Sequence, residues 1–151
     1  MKTTNGQAML KIKSTLIILF MFLITSASYA QEADAIVGKY KLPNKLDIKI
    51  YKHKNKFYGK IIALNGFNDG QTKDINNPDE SKQNNPLLGK IIIRGLEYDK
   101  EAKQWIDGSI YPPEKAIKVN LKIKLKGKNT IEAEVSKFLF WKTMEWKKIK
   151  V

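Results

Sequence analysis

The sequence contains no cysteine and only one histidine. Without cysteine there is no disulfide, no thiol nucleophile and no site for a lipid on an N-terminal cysteine, so the apolar core must stabilise the fold. The one histidine, His53, lies in a lysine-rich turn and is interpreted as a surface residue. Neither a Ser-His-Asp arrangement nor a histidine-based metal cluster is therefore predicted.

Arginine is almost as scarce, because Arg94 is the single arginine among 28 basic residues. Proteins that read phosphates or base edges favour arginine for its planar fork of donors. The formal net charge is +13, yet no nucleic-acid partner is expected, and no glycine-rich phosphate loop is present. The lysines predict a solvated surface, with attraction to anionic envelope components as the alternative.

One long apolar run is present, Leu16–Ile24, preceded by three lysines and followed by small residues at Ser28 and Ala30. This arrangement predicts a secretory signal over residues 1–30, with cleavage before Gln31. The run is shorter than the ~20 residues that a membrane-spanning helix needs. We therefore expect an exported protein, periplasmic or extracellular, whose residues 31–151 form a single domain.

Short segments of alternating polarity dominate the mature chain. In the clearest of them, 117–126, four apolar side chains are predicted to point inward and five polar ones outward; the inward set is Val119, Leu121, Ile123 and Leu125. Eight strands are predicted, at 36–40, 46–51, 57–64, 91–99, 105–111, 117–126, 130–135 and 138–149. The fold class is therefore all-β, a single antiparallel up-and-down barrel, and its interior is either packed or hollow.

A long connection, 65–85, separates the third and fourth predicted strands. Asn77 is predicted as a helix N-cap, Pro78 as the first helical residue and Glu80 as the partner in a capping box. Pro86 ends the helix, so one short helix over 78–84 is expected. The connection either closes one end of the barrel or contacts a ligand as a lid.

Candidate ligand-binding residues come from this connection and from two aromatic residues that flank a second, stiff loop at Pro112–Pro113. They are Asp74, Asn76, Asn77, Trp105 and Tyr111. The loop acids Asp69, Asp74, Asp79 and Glu80 do not have the spacing of a calcium loop. No catalytic residue, metal site or cofactor is assigned.

Several blocks resemble the bacterial domain of unknown function 2147. They are Gly38–Tyr40, Gly59–Ile62, Asp74–Asp79, Pro86–Gly89, Trp105–Pro113 and Thr143–Trp146. The resemblance implies a small exported protein with a lipocalin-like (calycin-like) barrel, and it implies no reaction. The sequence departs from the family pattern at Tyr40, where tryptophan is usual, and around Lys115–Ala116 and Val119.

The leading functional hypothesis is a monomeric, non-enzymatic barrel that binds a small apolar or amphipathic molecule. The second is a module that binds anionic envelope components or a protein partner through its outer surface, chiefly the lysine face at 118–126. The third is an enzyme that uses the loop carboxylates.

Overall fold

The computed structural model describes residues 32–150, and the predicted signal segment lies outside them. The strands are β1 (Gly38–Lys41), β2 (Asp47–His53), β3 (Lys56–Ala63), β4 (Ile91–Asp99), β5 (Gln104–Ile110), β6 (Val119–Gly127), β7 (Thr130–Lys137) and β8 (Phe140–Lys148). They form one closed antiparallel barrel in chain order, because β8 pairs with β1. The predicted eight-stranded up-and-down barrel is confirmed.

Side-chain alternation sets the barrel core. Leu121 and Ile123 of β6, with Ile131 and Ala133 of β7, are fully buried, as the period-two pattern predicts. Leu125, also predicted to point inward, is instead 46% exposed. It lies near the β6–β7 turn, where the register shifts before Gly127, so the pattern continues past the end of the core.

The last strand is shorter than predicted. It begins at Phe140 rather than at residue 138, because Phe138 takes a left-handed backbone conformation with φ of 55°. Phe138 and Leu139 form the turn between β7 and β8. An apolar Phe-Leu pair has none of the usual turn chemistry, which is why the pattern indicated strand here.

The short helix predicted over 78–84 forms only as one turn of 3₁₀ helix, Glu80–Lys82. Its N-cap is Asp79, whose side chain accepts from the Ser81 N–H. Asn77 does not cap it, because its amide side chain bonds Asp74 and the Asp79 N–H. Two further 3₁₀ helices, Asp34–Ile36 and Phe67–Gly70, were not predicted.

Successive connections of the barrel lie at alternate ends. We call loop end the one that carries the β1–β2 turn, the β3–β4 connection (64–90), the β5–β6 connection (111–118) and the β7–β8 turn (138–139). The other, the turn end, carries the short β2–β3, β4–β5 and β6–β7 turns. Within residues 32–150 no helix is long and apolar enough to cross a membrane.

Candidate functional site

Asp74 is the centre of a buried network at the loop end. Its carboxylate is fully buried. It accepts hydrogen bonds from the Tyr111 hydroxyl at 3.0 Å and from the Asn77 side-chain amide at 2.5 Å, and it pairs with the Lys90 ammonium at 2.8 Å. A buried carboxylate needs such partners to offset its lost hydration.

This network joins the β3–β4 connection to the barrel wall. Lys90 directly precedes β4, Tyr111 directly follows β5, and the Lys90 Nζ lies 5.1 Å from the centre of the Tyr111 ring. Burial, followed by the hydrogen bond and charge of Asp74, raises the pKa of Tyr111 to about 12. The hydroxyl therefore stays protonated and keeps donating to Asp74 at any ordinary pH.

Asn76 extends the network to the second loop. Its side-chain amide donates to the Pro113 carbonyl at 3.4 Å, a long contact. The β3–β4 connection thus holds the Pro112–Pro113 segment in place through Asn76 and Tyr111, and these prolines form part of the wall of a cavity.

That cavity opens at the loop end and has a volume of about 310 Å³. Its lining is mostly apolar and comes from both halves of the barrel: Leu42, Pro43, Asn44, Ile92, Ile110, Pro112, Pro113, Glu114, Val135, Lys142, Met144 and Trp146. Mostly apolar cavities with a few polar groups are typical of small-molecule sites, and this volume is at the small end of their range.

Two polar atoms of the lining residues lack partners. Glu114 Oε1 accepts from the Asn44 side-chain amide at 3.1 Å, but Glu114 Oε2 is buried with no hydrogen-bond partner among the described residues. The same holds for the indole Nε1 of the fully buried Trp146. An unpaired buried donor or acceptor costs roughly 1–3 kcal/mol, and both atoms are closed off from solvent in this structure.

The chemistry of the cavity changes towards its opening. Three residues of β8 line the cavity: Trp146, Met144 and Lys142. Strand alternation places all three on the same face of the strand. Trp146 is buried, Met144 is half-buried and Lys142 is exposed. The cavity therefore suits a molecule with an apolar body and a polar or anionic end near Lys142.

Two other depressions lie on the outer surface. The larger, about 500 Å³, is lined by Lys41, Lys45, Glu145 and Lys147 among others, and a second of about 320 Å³ includes Lys90, Arg94 and Lys118. Both are lined by more charged side chains than the loop-end cavity.

Three of the five predicted ligand-binding residues, Asp74, Asn77 and Tyr111, are brought together in the buried network, with Asn76 beside it. None of the five lines the loop-end cavity. Trp105 is not near the other four: it lies at the turn-end side of β5, buried against the rings of Phe57 and Tyr98. At about 3.3 Å per residue, some 20 Å of strand separates it from Tyr111.

Two residues of the cavity lining, Glu114 and Trp146, carry no sequence signal of a ligand-binding role. Glu114 follows two prolines, whose pattern indicates a stiff backbone and assigns no role to the acid. Trp146 has the pattern of a core residue, and the closure of β8 onto β1 places it beside the cavity.

The loop acids do not converge. Asp79 faces solvent, where Lys82 and Ser81 bond its carboxylate, and the hydrogen bond from Lys82 lowers the pKa of Asp79. Asp74 is buried in its own network. Among residues 32–150 no group of three His, Cys, Asp or Glu side chains is placed to hold a metal ion.

Comparisons with known proteins agree with this barrel. The model of a family described as "Uncharacterized protein conserved in bacteria (DUF2147)" matches residues 38–148, so the chain belongs to that family. Among solved structures it is similar to protein HP1028 from Helicobacter pylori, described as belonging to the lipocalin family. The TM-score is 0.66 at 19% sequence identity, over 76% of this chain and 83% of that one. No curated protein matches the chain.

Proposed function

We propose that this family member is a non-enzymatic carrier that holds a small apolar or amphipathic molecule in the loop-end cavity. The observation that carries the proposal is the mostly apolar cavity of about 310 Å³ at the loop end, whose lining comes from both halves of the barrel. A lipocalin-like fold is in general a small-ligand binder, which agrees with this assignment.

The lining also limits the ligand class. The exposed Lys142 ammonium at the opening favours a ligand with a polar or anionic end there. We propose a compact molecule with an apolar skeleton and one such end, and no fatty acyl chain that must lie wholly inside 310 Å³.

We further propose that the protein acts after export, in the periplasm or outside the cell, as the apolar segment before Gln31 suggests. An extracytoplasmic carrier that lacks cysteine is also insensitive to the redox state of that compartment.

The lysine face of β6 is a weaker candidate than its sequence suggested. Lys124 pairs with Glu132 at 2.7 Å, and Lys126 with Glu145 at 2.5 Å. Lys122 stands opposite Glu134 in the register. These glutamates neutralise much of the face, which leaves little net charge to attract an anionic polymer.

The test is to isolate the protein from its native source, extract it with organic solvent and identify a stoichiometric small molecule by mass spectrometry. Met144→Trp fills the cavity, whereas Thr143→Trp adds the same bulk to the exposed face of the same strand. We expect the molecule in the wild type and in Thr143→Trp, and its loss in Met144→Trp.

The stability of both variants is checked first by thermal denaturation. Extracts from the wild type that contain no defined molecule, together with no binding of the fluorescent probe anilinonaphthalene sulfonate at the cavity, would show that the interior is not a binding site. Equal retention of the molecule in Met144→Trp would place the site elsewhere.

A further inference from the structure

The turn between β7 and β8 exposes four consecutive large apolar side chains. Phe138 is 95% exposed, Leu139 92%, Trp141 71% and Phe140 64%. Isolated exposed apolar residues are common, but a contiguous group marks a surface that another apolar phase covers. We call these four residues the apolar tip.

The residue at the turn position of the tip is not the one that would make the turn most stable. Phe138 has φ of 55°, a left-handed conformation that glycine or asparagine adopts at much lower cost than a bulky residue. The sequence thus keeps an aromatic ring at a position where glycine would stabilise the hairpin. This points to a role of the Phe138 ring at the protein surface rather than in the stability of the turn.

Basic residues border the tip on both sides. Lys137 precedes it, with its Nζ 6.0 Å from the centre of the Phe138 ring, and Lys142 follows it. No acidic residue occurs between Ser136 and Met144. Aromatic side chains flanked by lysines suit the boundary of a bilayer, where the rings enter the acyl region and the ammonium groups meet phosphates.

Large exposed apolar residues are concentrated at the loop end. Besides the tip they are Ile75, Leu88 and Ile117, at 54%, 57% and 45%, whereas Leu125, at 46%, is the single one at the turn end among residues 32–150. The turns of the turn end contain polar residues: Lys54–Asn55, Lys100–Lys103 and Lys128–Asn129. The apolar side chains available to a bilayer therefore lie mainly at one end of the barrel.

We propose that the apolar tip inserts into the surface of an anionic lipid bilayer and so docks the barrel by its loop end. The tip is a convex hairpin rather than a groove, and lipid requires no matching shape from its partner. The lysines beside it complement anionic headgroups, each worth about tenfold or less in affinity near such a surface.

Docking this way sets the cavity mouth against the bilayer. Phe140 lies on the same face of β8 as Lys142 and Met144. Because those two residues line the cavity, the apolar tip is continuous with the cavity lining. A ligand could then pass between the bilayer and the cavity without crossing open water. This last step rests on the proposed function; the membrane contact itself does not.

The test is flotation of the chain from Gln31, which contains the whole closed barrel, with phosphatidylcholine vesicles that either contain or lack phosphatidylglycerol. The variant is Phe138→Ser combined with Leu139→Ser. The matched control is Leu125→Ser, which removes an exposed leucine of the turn end. We expect the wild type and the control to float with anionic vesicles, and partitioning of the tip variant to fall by about tenfold or more.

Insertion has its own readout. Trp105 and Trp146 are buried, so quenching of tryptophan fluorescence by bromine-labelled lipid reports Trp141. We expect quenching in the wild type that weakens only in part at high salt, because salt screens the lysines but not the apolar contact.

Wild-type protein that does not float with either vesicle, or a tip variant that floats as well as the wild type, would overturn the proposal. Self-association that the tip substitutions abolish, without flotation, would assign the tip to a second copy of the chain. Met144→Trp should float normally, so a failed ligand extraction and a failed membrane contact remain distinguishable.

Discussion

At the scale of the residue, Asp74 is the side chain on which the loop end depends. It is fully buried and takes three donors, from Tyr111, Asn77 and Lys90. The position of the β5–β6 connection, and with it part of the cavity wall, follows from these bonds. A polar network of this kind is stable only when every member is satisfied.

Asp74→Asn should lower the free energy of unfolding by about 2–3 kcal/mol. The substitution removes the charge that Lys90 needs and adds an N–H₂ group where three donors already converge. The measurement is urea denaturation of the variant and the wild type. Tyr111→Phe serves as the comparison and should cost about 1 kcal/mol, because it removes a single hydrogen bond.

A loss below about 0.5 kcal/mol for Asp74→Asn, the size of an ordinary surface substitution, would mean that the network does not hold the loop. The outcome also bears on the cavity, since the same bonds hold Pro112–Pro113 in place.

The sequence indicated Asp74, Asn77 and Tyr111 as ligand-binding residues, whereas the structure joins them in the buried network and not in the cavity lining. The turn and cap signals of the connection could not show that Lys90 reaches Asp74 from the far end of the same connection. Glu114 and Trp146 were beyond prediction for a related reason. Each has one unpaired polar atom only because of how residues distant in sequence pack around it.

At the scale of the element, glycines set how closely neighbouring strands pack. Gly108 of β5 is the tightest case: a Cβ added there would lie 2.5 Å from Leu96 Cγ and Cδ2 and 3.3 Å from the Leu121 carbonyl oxygen. The register also shifts between Trp105 and Gly108, with Asp107 at φ of 58°. Leu96 thus occupies the space that a side chain at position 108 would need.

Gly108→Ala should therefore destabilise the barrel by about 1–3 kcal/mol, the usual cost of forcing extra volume into a packed core. Gly127→Ala is the matched control, because a Cβ there meets nothing within 4 Å, and its effect should stay within about 0.5 kcal/mol. The measurement is the denaturant midpoint of each variant compared with that of the wild type. Equal midpoints would show that Leu96 moves aside without cost.

Strands were the elements that the sequence predicted best, because alternation records which face is buried. Gly59 is another close-approach point, because the register shifts on both sides of it against β4 and a Cβ added there would lie 2.8 Å from Ile93 Cδ1. The β7–β8 turn was mispredicted as strand because its residues are apolar and carry no turn signal. We attribute their apolar character to the surface that covers the tip.

At the scale of the whole molecule, the barrel is closed by its weakest pair of strands. β1 has only four residues and meets β8 at Tyr40–Lys148 and Lys41–Lys147, whereas β7 and β8 are in register from Thr130 to Lys137. Sequential hairpins made an up-and-down barrel predictable. We call the β1–β8 pairing the seam, and its strength depends on how the first and last strands meet. No local pattern specifies that contact.

We expect the seam to open before the rest of the barrel. Amide hydrogens at the seam, such as that of Ile149, which donates to the Lys39 carbonyl at 2.9 Å, should exchange about tenfold or more faster than those in the middle of β6 and β7. Opening there breaks few bonds, and local openings of low free energy dominate exchange. Hydrogen exchange followed by NMR resolves the individual amides.

The seam also borders the cavity, because Leu42 directly follows β1 and Trp146 lies in β8. An occupant that contacts both should bind the closed form better than the open one, and it should slow exchange at the seam more than in β6 and β7. Protection that is uniform around the barrel in the free protein would contradict this view, because the barrel would then open only as a unit. If the occupant slows hydrogen exchange only in β4–β6, the ligand binds instead in the outer depression beside Arg94.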